Sequence, residues 1–162
     1  MEPRTDLVER ADELTPHERL NGVAALRELL ATCHDGKARY EEAAREADDP
    51  DLAGFLLSHA DEYERDAGQL AALLRSFGGD PEVPPSMGGE LHRRFMALRT
   101  AIAHGSPAGI LAECERGEHL AIGHFERALK MRLPMNVASV LLDQVETIRH
   151  RRAAFDRMRK PW

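Results

Sequence analysis

Residues 113–129 read ECERGEHLAIGHFERAL. At about 100° per residue, Cys114, Ala121, Phe125 and Leu129 fall on one face, the pattern of an amphipathic helix. Glu118 falls near the centre of that apolar face, where a charge needs a partner. Glu113, Glu115, His119 and His124 turn mostly away from it. The stretch thus predicts a packed helix with one carboxylate in its core, and the rest of the chain has to supply what faces it.

Proline marks the other elements. Thr15-Pro16-His17-Glu18 is a capping box with proline in the first turn and opens a helix to about Ala47. Asp49-Pro50 opens a second, ending at Phe77 before Gly78-Gly79. Ser106-Pro107 opens the helix holding 113–129, which runs to about Met131. Pro134 starts the last, ending near Arg159. Residues 1–14 are a loose N-terminal segment. Residues 78–106 are a crossover, with a short helix over 89–103 carrying Leu91, Phe95, Leu98 and Ile102. No segment alternates as a strand does. The expectation is a single domain over 1–162: an all-α, four-helix bundle of two antiparallel hairpins. Tight connections make each hairpin, and the long crossover between them matches ferritin-like rather than up-down-up-down connectivity.

The hairpins share a pattern. CHDGKARYEEAA (33–44) resembles CERGEHLAIGHFERAL (114–129). Cys33 and Gly36 match Cys114 and Gly117 at one offset. Tyr40, Glu41 and Ala43 match Phe125, Glu126 and Ala128 at an offset longer by about one turn. An internal duplication accounts for both.

ECERGE followed by FERAL, DGKARYEEAA, and LHRRFMAL together resemble a bacterial family of small ferritin-like four-helix-bundle proteins without an assigned function, remote kin of rubrerythrin. The resemblance spans roughly residues 20–159. It implies the ferritin-like topology and kinship to di-iron proteins, but no particular reaction. The chain departs from that pattern at His119 and Phe125, where aspartate and tyrosine are expected.

Projection of the helices puts further polar residues on apolar stripes. The first carries Val23, Leu26, Leu30, Cys33, Tyr40, Ala44 and Ala47, with Lys37 on it and Glu41 beside it. The second has His59 and Asp66 on its stripe and Glu62 at the margin. The last has Gln144 and Arg151 on its face and Thr147 beside them. Folded at their turns, the hairpins bring Lys37 near His59 and Glu62, and Glu118 near Gln144, Thr147 and Arg151. One polar layer across mid-bundle results, at the level where ferritin-like proteins hold a di-metal site.

A di-iron site wants Glu-x-x-His on two helices and a glutamate from each of the others. The chain offers His59-x-x-Glu62, in reverse order, and Glu146 with His150 on an outward face. Lys37 and Arg151 place cations where such a centre needs anions. The metal candidates reduce to Glu41, His59, Glu62 and Glu118, a set suited to iron or another divalent ion. The competing expectation is a structural polar core in which Glu118 pairs with Arg151, and Lys37 with Glu62 or Asp66, with Gln144 completing the layer.

Net charge of −6 with both signs interspersed disfavours a nucleic-acid or anionic-membrane partner. Apolar runs of a few residues span no bilayer, and the first residues lack a signal-peptide core, so the cytoplasm is the expected compartment. Two distant cysteines without CxxC predict buried thiols rather than a cysteine–zinc site. No GxSxG, P-loop or HExxH occurs. The expectation leans away from an enzyme, toward a binding or self-associating bundle (a homo-oligomer). The alternative is a metal-binding iron protein or di-iron oxidoreductase of the rubrerythrin type.

Overall fold

The computed structural model describes residues 14–82 and 106–159. Their regular structure is four helices: α1 Pro16–Glu46, α2 Pro50–Ser76, α3 Pro107–Leu129 and α4 Met135–Met158. No strand occurs among the described residues. The expected short helix over 89–103 lies outside them, as do residues 1–13.

The caps explain the starts. Thr15 Oγ1 accepts from the Glu18 N–H at 3.1 Å while the Glu18 carboxylate accepts from the Thr15 N–H at 2.9 Å. Asp49 and Ser106 accept from the N–H groups of Asp51 and Gly109. α2 stops where Gly78 takes a φ of 76°, which lets the Gly79 N–H reach back to the Leu74 carbonyl at 2.9 Å. Each of the four described helices ends within two residues of its expected terminus.

Contacts fix the neighbours of each helix. Along α1 and α2, Lys37 meets Glu64, and Tyr40 stacks near His59. Along α1 and α3, Glu28 meets Arg127, Thr32 meets His124, and Tyr40 meets Glu118. Along α3 and α4, Glu118 meets Arg151 and Glu126 meets Arg149. Along α2 and α4, Phe55 meets Phe155, Glu62 meets Arg151, and the Asp66 carbonyl meets Gln144. In all four seams the residue number falls on one helix as it rises on the other.

One apolar core fills the space between them. Tyr40, Tyr63, Phe125, Phe155 and a set of leucines and isoleucines that includes Leu26, Leu56, Leu70, Leu141 and Ile148 are essentially solvent-free. Each such side chain stabilises the fold by about 1.5–3 kcal/mol through burial. α1 buries Leu29 and Ala43 besides the expected stripe, because it packs against both α2 and α3 and needs a wider apolar arc.

Candidate functional site

Glu118 sits mid-bundle on α3 with its side chain fully buried. Its two oxygens have separate partners. The Tyr40 hydroxyl donates to Oε1 and the Tyr63 hydroxyl donates to Oε2 at 2.7 Å. The Nε of Arg151, on α4, lies 3.5 Å from Oε1. Three helices thus converge on one carboxylate from the fourth.

Arg151 joins this group to the surface. Its Nη1 donates to Glu62 Oε2 at 2.7 Å, and Glu62 is partly solvated. Its guanidinium lies 4.4 Å from the centre of the Tyr63 ring, a cation–π contact. A buried ion pair is tolerable only when its remaining hydrogen-bonding capacity is largely met. Two phenol donors meet the carboxylate, while on the cation's side Glu62 takes one N–H of the guanidinium and the Tyr63 ring takes its face.

Local sequence makes the geometry available. Gly36 leaves room for Tyr63: a Cβ there would stand 2.6 Å from the ring's Cε2. Tyr40 and Tyr63 lie on the facing stripes of α1 and α2, their ring centroids 6.0 Å apart.

Burial and charge set the proton affinities. Desolvation first, and the Glu118 charge second, hold both phenols well above the usual tyrosine range, so both remain donors. Burial alone would lower Arg151, but Glu118 and its other neighbours raise it above the usual value. Burial pushes the Cys33 thiol up, and it pushes Cys114 up to about 12. Both cysteines are free and buried. Burial also lowers His59, opposed by its contact with the Phe55 carbonyl. That contact is 2.8 Å from Nδ1, which makes Nδ1 the protonated ring nitrogen and Nε2 the lone-pair nitrogen.

The four metal candidates do not share a centre. Glu118 is engaged by two phenols and a guanidinium, and Glu62 by that same guanidinium. Glu41 is at the rim, its side chain 38% exposed, 3.7 Å from Lys37. His59 is buried among Phe55, Phe155 and Tyr40. Among the described residues, no three His, Cys, Asp or Glu side chains are grouped to hold a metal ion. A cation placed on Glu118 would have to displace the phenols and sit beside Arg151, so these residues do not fit a di-iron centre.

The polar-core candidates divide. Arg151 lies at the centre. Gln144 is buried but turns toward α2, donating to the Gln69 side chain at 2.9 Å and to the Asp66 carbonyl at 3.3 Å. Asp66 is half-buried on α2. Lys37 does not reach the layer. Its long stem carries the ammonium out to Glu64 and Glu41, away from Glu62 and Asp66, because hydration outweighs a second buried charge there. Thr147 is exposed and donates to the Asp143 carbonyl. The tyrosine hydroxyls were not among the expected polar groups. The signal for them is compositional: the chain has only two tyrosines, and both meet Glu118.

The fold and the site together define an all-helical bundle domain with an ion-paired, phenol-capped carboxylate in its core. Residues 21–131 match the model of a family described as a domain of unknown function (DUF2383), and the chain belongs to that family. The matched span includes Tyr40, Tyr63 and Glu118 and ends before Gln144 and Arg151. No curated protein matches the chain. No described helix is long and apolar enough to cross a membrane.

Proposed function

We propose that the chain is a ferritin-like bundle in which an ion-paired polar layer takes the place of a di-iron site. It works as a binding or self-association module rather than as a redox enzyme. The observation that carries this is the commitment of Glu118: both oxygens are held by hydroxyls and the nearest cation is a guanidinium. A carboxylate held in this way supplies helix register at one level of the bundle.

The ferritin-like connectivity rests on the opposed running of contacts in all four seams. With α1 against α3 and α2 against α4 both opposed, α2 and α3 run the same way, as ferritin-like connectivity requires. Duplication of an ancestral hairpin is supported by the matching burial of Cys33 with Cys114, Gly36 with Gly117, and Tyr40 with Phe125. Self-association would draw on half-exposed leucines such as Leu57, Leu120 and Leu142, on α2, α3 and α4. Sedimentation should give a concentration-dependent mass; a monomer at every concentration removes this part.

Expression in iron-rich medium, followed by dialysis and metal analysis, tests the core reading. Substoichiometric iron and no near-ultraviolet oxo-iron band are expected. Retained iron at about two ions per chain, lost on Glu118→Gln, would overturn it in favour of an iron protein.

A further inference from the structure

Five buried polar atoms find no hydrogen-bond partner among the described residues: His59 Nε2, Asp66 Oδ2, Gln144 Oε1, and Nε and Nη2 of Arg151. All belong to the seam between α2 and α4. Their residues are themselves well buried: Gln144 is 2% exposed, and Arg151 and His59 are each 5% exposed. Native interiors rarely leave such groups unmet, and ordered water is the usual partner where the protein supplies none.

The placement can be read along the seam. Gln144 and Arg151 are two turns apart on one face of α4. Asp66 and Glu62 are one turn apart on α2, and each meets the opposite residue: Asp66 meets Gln144 through its carbonyl, and Glu62 meets Arg151. Asp66 thus sits on the part of α2 that faces Gln144 and Arg151, and Arg151 bears on its carboxyl more than any other charge. Chemistry then counts the partners. Gln144 Nε2 is already used twice, so its Oε1 needs a donor. Arg151 Nη2 needs an acceptor. A single water accepts from the guanidinium and donates to both oxygens, three hydrogen bonds, which is the typical number for a buried water. On the other side of Arg151, His59 presents the Nε2 lone pair, fixed by the Nδ1 contact with Phe55. The half-buried Glu62 and Asp66 give the seam a way out to solvent.

We propose that the α2–α4 seam is an internal hydration site, with one ordered water bridging Arg151 Nη2, Gln144 Oε1 and Asp66 Oδ2, and a second donating to His59 Nε2. Its ligand is water. The claim is independent of whether the bundle binds metal or self-associates.

A high-resolution crystal structure of the whole chain tests it directly. Solvent density within hydrogen-bond distance of the three atoms, and of His59 Nε2, is expected. Direct contact of the Asp66 carboxyl with Gln144 Oε1 or Arg151 Nη2, leaving no room for solvent, overturns it, as does an ion or a protein side chain in that place. Oxygen-17 relaxation dispersion gives a second readout in solution. Gln144→Met should lose long-lived internal water relative to the natural protein. An unchanged count in a folded variant overturns the bridging water, and the crystallographic result decides the matter if the variant does not fold.

Discussion

Glu118 and Arg151 depend on each other more than either contributes alone. Replacing Glu118 with alanine strands a buried guanidinium and leaves two phenols without acceptors, at a cost of about 3–5 kcal/mol. Adding Arg151→Met removes the stranded cation, so the double variant should recover at least about 1 kcal/mol in chemical denaturation. A double variant no more stable than Glu118→Ala would deny the pairing. Tyr63→Phe withdraws only one donor and should cost about 1–3 kcal/mol, read the same way. Asp66 gives the pH dependence. Burial raises its carboxyl from 3.8 to about 6, opposed by Arg151 and Arg65 and helped by Glu62 and Glu118. A raised folded-state pKa means that the folded protein holds the proton more tightly than the unfolded chain. The associated stability is full below about 4 and is lost as pH rises through about 6. Asp66→Asn should therefore gain on the natural protein across that interval and hold its gain above it. Parallel stability–pH curves for the two would contradict this.

Helix boundaries were legible because capping is local: Thr15, Asp49 and Ser106 each act within three residues of themselves. Glu118 and Arg151 were legible because a charge on an apolar stripe violates the helical period. The hydroxyls of Tyr40 and Tyr63 were not, since a tyrosine on a stripe reads as apolar until its neighbours in space are known. Lys37 was misplaced for a related reason, because a wheel locates the Cβ and not the end of a long side chain. Glycines show the same division between local and spatial information. Gly36 and Gly54 both interrupt helices, and alanine is favoured by about 1 kcal/mol on propensity alone. A Cβ on Gly54 meets nothing within 4 Å, so Gly54→Ala should stabilise by about 0.5–1 kcal/mol. At Gly36 it would strike the Tyr63 ring, which is held by its bond to Glu118. Gly36→Ala should therefore destabilise by about 1–3 kcal/mol despite its better propensity. Thermal melts of the two variants should move in opposite directions.

At the scale of the whole molecule, the question is whether the four helices open as one unit. The core is one cluster to which all of them contribute, and the Glu118 group ties them at a single level. Cys33 on α1 and Cys114 on α3 report on this independently, since both are solvent-free and both thiols are pushed up by burial. A thiol must be exposed and ionised to react, so neither should label in the folded state. If opening is global, the two cysteines should label with the same opening free energy and the same dependence on denaturant. Glu118→Ala should lower that free energy equally at both sites, because it removes a tie shared by all four helices. Mass spectrometry of peptides after pulsed alkylation reads each site separately. A Cys114 that labels at lower denaturant than Cys33 would mean that the α3–α4 pair opens before the rest, and the polar layer would then be a seam between two halves rather than a clamp across one core.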